Sequence, residues 1–313
     1  MFDVIAIGEL LIDFSQNSTD GDGYPTLSAH PGGAPANYLA ALSKFGKKTA
    51  LVAKVGNDAF GKLLIGTLKS ANINSENVVI TSNCFTTLAF VTNDAFGDRS
   101  FSFARKPGAD TLLSADEIDF SIIDNTKVVH FGTVGMTAEP SNSAHKAVIE
   151  AAKSKGKLIS FDPNLREPLW DNLDRAKEAM AWGLGIADIV KISDNEAEFL
   201  FRLSPKAAAK HILSHFPVKL VMVTLGKKGA LFANKNAIGQ VENYTDGINT
   251  VDTTGAGDIF GGSAMYKILE YNLSPDELNY EQLCDVCSFA CKSASLSTTK
   301  FGGINSVPDI SEI

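Results

Sequence analysis

The sequence predicts a doubly wound α/β fold carrying a small extra β-sheet. Short apolar, β-branched runs alternate with amphipathic stretches, as in DVIAIG, NYLAALSKFG, TALVAKVG, FGKLLIGTLKSA, VVHFGTVG and SAHKAVIEAAKSKG. That alternation is the sequence form of βαβ units. Several strand candidates, among them LISFDP, ADIVKIS and KLVMVTLG, are apolar throughout, which suits a parallel sheet covered by helices on both faces. The extra sheet is read from two segments, about 13–31 and 84–105, that break the rhythm. In the second, CFTTLAFVTNDAFGDRSFSFAR alternates aromatics and Thr with polar residues around an FGDR turn, the pattern of a hairpin. Placed over the strand ends, such a sheet acts as a lid that closes a site against water.

The chain has 313 residues, 44% of them hydrophobic, enough for one large core or two modest ones. No repeat or interdomain linker breaks it, so 1–313 reads as one unit. A net charge of −8 and the lack of a basic run argue against nucleic-acid binding, which rests on clustered Lys and Arg. MFDVIAIGELLIDF has no basic leader, is shorter than a spanning helix, and carries Asp3, Glu9 and Asp13. It reads as a first core strand, and the expected setting is the cytoplasm, away from membranes.

Cys284, Cys287 and Cys291 recur at i, i+3 and i+7, the spacing of one buried helical stripe. A zinc site would need a second group of Cys or His, and no histidine lies near in sequence. The five histidines, His30, His130, His145, His211 and His215, show no ligand spacing and read as structural or exposed.

The strongest chemical signal is NTVDTTGAGDIFGGSAMYKILEYNL, where small residues lead into a helical pattern from Asp258 onward. Gly255, Ala256 and Gly257 leave bare backbone amides at a helix start, an anion site by hydrogen bonding and by the helix dipole. A carboxylate there would repel phosphate if it only held it. It makes sense as the base that takes a proton from an attacking hydroxyl while the amides stabilise the transferring phosphoryl group. The plainer alternative is a helix-capping Asp after a glycine turn. Two other glycine motifs fail. GAGDIFGG has Phe260 where a dinucleotide fingerprint needs its third Gly. GNDAFGKL imitates a P-loop but places Leu63 where Mg²⁺ needs Ser or Thr, so Asp58 reads as a helix cap and Lys62 as surface.

PGGAPANYLAALSKFG and VDTTGAGDIF resemble the N- and C-terminal signatures of the ribokinase-like sugar kinases, the PfkB carbohydrate kinase family. VGNDAFG, TLGKKGALF and TTKFGGINSVP fall in family order, so the resemblance spans nearly the whole chain. It implies a three-layer α/β/α core with a β lid, ATP as phosphoryl donor, Mg²⁺ beside it, and a homodimer contact through the lid. By resemblance, Asp258 is the base and the amides of Gly255, Ala256 and Gly257 form the anion hole. Thr224, Gly226 and Gly229 match the nucleotide-side turn, with Lys191 and Ser193 nearby. The Mg²⁺-associated NxxE motif departs here: in KISDNEAEFL it aligns with Ser193 and Glu196, and Asn195 with Glu198 is an alternative.

On the sugar side, Asp13, Gly32, Gly33 and Asn37 match positions that hydrogen-bond hydroxyls, chemistry that carboxylates, amides and exposed backbone can perform. Asp13 follows an apolar run, where an uncompensated carboxylate is costly. SFDPNLREPLW and FARKPGAD resemble fructokinases more than ribokinases, which makes Arg105, Asn164 and Arg166 candidate sugar contacts; Arg166 could instead pair with Asp162 or Glu167. STTKFGGINSVP resembles the loop that encloses K⁺ in potassium-activated members, with Asp252, Thr254, Ser297, Gly302 and Ser306 supplying oxygens. Ketodeoxygluconate kinases, aminoimidazole riboside kinases and catalytically silent sugar-binding relatives remain as alternatives.

Overall fold

The computed structural model describes residues 1–93 and 99–313. The chain opens with β1 (Phe2–Ile7), β2 (Leu11–Thr19), β3 (Pro25–Gly32), α1 (Ala34–Lys44), β4 (Thr49–Gly56) and α2 (Ala59–Ser70). Then come β5 (Ile73–Asn74), β6 (Val78–Thr81), β7 (Leu88–Asn93), β8 (Arg99–Ala104), α3 (Ser121–Asp124), β9 (Thr126–Phe131), α4 (Ser141–Ser154) and β10 (Leu158–Phe161). The last part holds α5 (Leu173–Ile186), β11 (Ile189–Ser193), α6 (Asp194–Phe201), α7 (Pro205–His215), β12 (Leu220–Thr224), β13 (Ala230–Asn234), β14 (Ile238–Val241), α8 (Ala256–Tyr271) and α9 (Tyr280–Ser297).

The main sheet runs β14-β13-β12-β11-β10-β9-β1-β4-β5, and β6 also pairs with β4. From β12 to β5 neighbours are parallel, with Ile5 level with Ala50 and Val129. Every residue of β4 is buried, the pattern expected where helices cover both faces. The two-residue period of β1 divides it between two cores: Val4 and Ala6 pack with α1, α8 and α9, Ile5 and Ile7 with α4 to α7. This is the three-layer arrangement the sequence predicts. TLGKKGALF forms an antiparallel hairpin, β12 with β13, that extends one edge of the parallel core.

The two segments that break the α/β rhythm form the second sheet, ordered β3-β2-β7-β8. Its hairpins are antiparallel and its centre, β2 with β7, is parallel. The turn between these strands, including Phe96, Gly97 and Asp98 of FGDR, falls in residues 94–98, outside the described residues. Phe14 of β2 stacks on Phe90 with ring centres 5.2 Å apart and meets Phe60 of α2 edge-on at 5.6 Å. These contacts seat the lid sheet on the core helix α2.

Asp58 caps α2 by accepting from the Gly61 amide at 2.8 Å, and the same carboxylate accepts from the Thr86 amide and hydroxyl. Cys287 and Cys291 lie in the apolar core on α9, with Cys284 packed at its edge. His130 and His145 are buried, and the Tyr38 ring stacks on His130 at 3.6 Å. Among the described residues no helix is long and apolar enough to cross a membrane.

Candidate active site

Ligands of open α/β sheets bind beyond the carboxyl ends of the parallel strands. Here those ends deliver Glu9 after β1, Val134 after β9, Asn164 and Arg166 after β10, Lys191 and Ser193 of β11, and Thr224 of β12. They face a cavity of about 320 Å³, to which the lid sheet adds Asp13 and the first turn of α8 adds Gly255, Gly257 and Asp258. A second cavity, about 470 Å³, adjoins it; Thr224, Thr253 and Gly257 line both.

The α8 helix begins at Ala256, two residues earlier than the sequence pattern indicates, with Gly255 before it at φ 75°. The Ala256 amide makes a turn bond to the Thr253 carbonyl at 3.3 Å. Among the described residues the amides of Gly257 and Asp258 have no backbone acceptor, as at any helix start, so the free donors fall at Gly257 and Asp258 rather than at Ala256. Asp258 itself is buried, and burial raises its carboxyl above the ordinary range. Lys191, a hydrogen bond from Asn37 and the charge of Arg166 oppose that rise, while Glu196 adds to it.

Lys191 forms an ion pair with Asp162 at 2.8 Å. A methyl group built on Gly257 would stand 3.1 Å from its ammonium, so this cation lies directly beneath the GAGD turn. Burial disfavours its charge, but Asp162, Glu196 and Asp258 together hold it protonated.

Asp13 rises to about 7, first because it is buried, with Arg166 pulling it down and Asp258 and Asp252 pushing it up. Its Oδ2 would be 2.2 Å from any Cβ on Gly32, so glycine is what allows the carboxylate to lie across the lid strand. Arg166 is exposed at the cavity wall and donates only to the neighbouring Leu165 carbonyl, pairing with neither Asp162 nor Glu167 among the described residues. Asn164, at φ 47°, lines the same cavity.

Arg105 does not reach this cavity. Its guanidinium is committed to Asp110 at 2.6 Å, to Thr137 at 2.7 Å and to the Val134 carbonyl at 2.9 Å, and it lines a neighbouring cavity. Glu196 is buried, whereas Glu198 is exposed, which favours the Ser193–Glu196 alignment of the metal motif. One oxygen of Glu196 accepts from the Leu165 amide at 2.7 Å, the other from the Ser193 amide and hydroxyl, each at 2.8 Å. A carboxylate offers about four lone pairs, so Glu196 ties two strand-end loops together and keeps capacity for a cation.

The DTT and TTKFGG segments meet through Asp252. Asp252 accepts from the Thr254 amide at 3.0 Å and hydroxyl at 2.7 Å with one oxygen, and from the Gly302 amide at 3.0 Å with the other. The Ser297 and Ser306 hydroxyls donate to the carbonyls of Ala294 and Gly303, which leaves their oxygen lone pairs free beside the backbone carbonyls.

Glu9 is the residue that sequence reading passes over. It is buried, lines the cavity, and accepts from the Ala34 amide at 2.8 Å; burial raises it to about 7. The signal was present in IGELLIDF, an acid inside an apolar run, by the same reasoning that marks Asp13.

The second cavity has the turn glycines Gly226 and Gly229 at φ 56° and 90°, beside Lys227, Asn243, Tyr244, Phe260 and Ala294. Close backbone approach and a partly apolar wall suit a nucleotide.

A family model described as pfkB family carbohydrate kinase matches residues 1–310. Fructokinase-2 of Solanum lycopersicum is 39% identical over 315 residues, spanning 99% of this chain and 94% of that protein. The crystal structure of a Xylella fastidiosa fructokinase with bound ATP superposes with a TM-score of 0.90 at 27% identity, covering 100% and 97% of the two chains. A Vibrio cholerae O395 fructokinase solved with fructose, ADP and calcium gives 0.85 at 30% identity, covering 99% and 97%. With the signature segments meeting around one pair of cavities and the match running from end to end, the chain belongs to the pfkB family of carbohydrate kinases.

Proposed function

We propose that this protein transfers the γ-phosphoryl group of ATP to a primary hydroxyl of fructose, with Asp258 as general base. The observation that carries this reading is the place of Asp258: at the N-terminus of α8, buried where the two cavities meet. Asp13, Arg166 and Asn164 line the first cavity and would orient the sugar, two acceptors of a polyol's protons and a fork of donors to its oxygens. The sugar hydroxyl gives its proton to Asp258 as its oxygen attacks the γ-phosphorus. The bond from that phosphorus to the β,γ-bridging oxygen breaks, and ADP leaves. The free amides of Gly257 and Asp258 and the Lys191 ammonium face the charge that spreads over the transferring group.

The residues present fit a divalent cation, which we take to be Mg²⁺; bound with the triphosphate, it neutralises phosphate charge. Glu196 would hold it from α6. The Asp252–Gly302 loops would hold K⁺ through backbone oxygens. Four free thiols suit a reducing setting, and a cytosolic location is part of the proposal.

The test is ADP release with MgATP and, in turn, fructose, ribose, glucose, ketodeoxygluconate and nucleosides, on the native protein and on Asp258→Asn. Fructose should give the highest kcat/KM, and the variant should lose at least ~10²-fold in turnover, the lower range for general-base catalysis, while folding normally. Near-native turnover in Asp258→Asn would refute the base. Another acceptor exceeding fructose tenfold would refute the substrate.

A further inference from the structure

We propose that Asn37 is a positioning residue for Asp258, gripping one carboxylate oxygen so that the other is aimed at the sugar hydroxyl. The inference rests on the reading of Asp258 as the base, and it departs from the resemblance, which makes Asn37 a sugar contact.

The geometry is specific. Asn37 lies in the first turn of α1 with only 3% of its surface exposed. Its amide nitrogen donates to Asp258 Oδ2 at 2.9 Å, a contact bridging 221 residues of sequence. Its Oδ1 is buried and accepts from no group among the described residues. Two glycines from separate segments enclose the side chain. A Cβ on Gly303 would stand 2.1 Å from Oδ1, and one on Gly255 would stand 3.0 Å from the amide nitrogen. The first packs backbone against the carbonyl oxygen, although the side chain as a whole still lines the first cavity. The second presses the amide against the turn that carries Asp258, so its orientation is fixed without any ligand.

A buried polar atom left unpaired costs free energy, so an amide kept here with Oδ1 unpaired must be retained for its other end. That end donates to a carboxylate and favours its charged form. The other charged groups around Asp258 are Lys191 on β11, Arg166 and Asp162 beyond β10, Glu196 on α6 and Asp13 on β2. All of them remain when Asn37 is replaced, so a change in the titration of the base reports the lost bond.

The experiment measures kcat and fructose KM against pH for the native protein, Asn37→Leu and Asp258→Asn, at saturating MgATP. Removing the donor should move the acid limb of kcat upward by about 1 pH unit, the scale of one charge-assisted hydrogen bond. It should lower the plateau at least ~10-fold and leave fructose KM within about threefold. Asn37→Ser, which is too short to reach Oδ2, should shift the limb equally and serves if the Leu variant melts. A tenfold rise in fructose KM with an unmoved acid limb would overturn the inference in favour of direct sugar contact. If Asp258→Asn stays active, the base assignment fails first; if it is inactive and both Asn37 variants keep the native limb, only this inference fails.

Discussion

Replacing Arg105 with Met separates a structural clamp from a sugar ligand. Arg105 and Asp110 expose 4% and 2% of their side chains, and the guanidinium also bonds Thr137 and the Val134 carbonyl. Asp110 further bonds the Thr87 hydroxyl. Arg105 follows the last residue of β8 and Thr87 precedes the first of β7, so the cluster staples both stems of the lid hairpin to the loop beyond β9. Removing one partner of a buried pair strands the other, which costs about 3 to 5 kcal/mol. With 313 residues at about 2.1 cal/mol/K each, unfolding entropy near the midpoint is about 0.66 kcal/mol/K. The melting temperature should therefore fall by about 5 to 8 °C, readable by calorimetry. Arg105→Met with Asp110→Leu should recover part of the loss, because the stranded charge is gone and Thr137 keeps its bond to the Val134 carbonyl, while the Thr87 hydroxyl still lacks its acceptor. A variant melting within a degree of native while its fructose KM rises tenfold would refute the clamp and restore Arg105 as a sugar ligand.

Two further outcomes follow from the same cavity. Glu9 and Asp13 both titrate near 7 when folded, above their ordinary values, so the stability they contribute is fully present below about pH 4 and lost as pH rises through 7. The ligand-free protein should melt lower at pH 8.5 than at pH 5.5, and Asp13→Asn should flatten that fall while weakening fructose use; an unchanged slope would refute the Asp13 titration. Arg166→Ala should reduce kcat/KM for fructose ~10- to ~150-fold, the range of one charged hydrogen bond, without changing the melting temperature or the KM for ATP. A comparable rise in the ATP KM would place Arg166 on the wrong substrate.

The order of layers was legible because strands covered on both faces leave continuous apolar runs, as in LISF and LVMVT, and the lid because its aromatics alternate. The place of Asp258 was legible because small residues lead there into a helical pattern, and it stands in the first turn of α8 at the cavity wall. What a linear reading does not carry is the pairing of side chains distant in sequence. Arg105 looks like a ligand in FARKPGAD, yet folding turns it toward Asp110, five residues on, and buries both. Asn37 reads as a sugar contact because PGGAPAN matches a family signature, and only the return of the chain at Asp258 and Gly303 reveals what its amide touches. The antiparallel edge at β13 escaped for a similar reason, since a buried antiparallel strand and a buried parallel one share the same apolar composition.

The two cavities differ in charge, and under the proposed function that difference would sort their ligands. Glu9, Asp13, Glu196 and Asp258 line the first, against the cations of Lys191 and Arg166. Among the described residues, no acidic side chain lines the second, where Lys227 stands beside glycines and small polar residues. A triphosphate seated in the first cavity would face the carboxyl groups of Glu9, Asp13 and Asp258, with only Glu196 proposed to reach its metal; in the second it would face amides and a cation. A neutral polyol has the opposite preference, since carboxylates accept its protons. Under that proposal the phosphoryl group would cross between them beside Gly257, which lines both and whose amide has no backbone acceptor among the described residues. On that route the transferred group would be a dianion on the acidic side of the boundary, where the carboxylates proposed to hold the sugar would repel the product. The same charge distribution would thus favour release of the phosphorylated sugar.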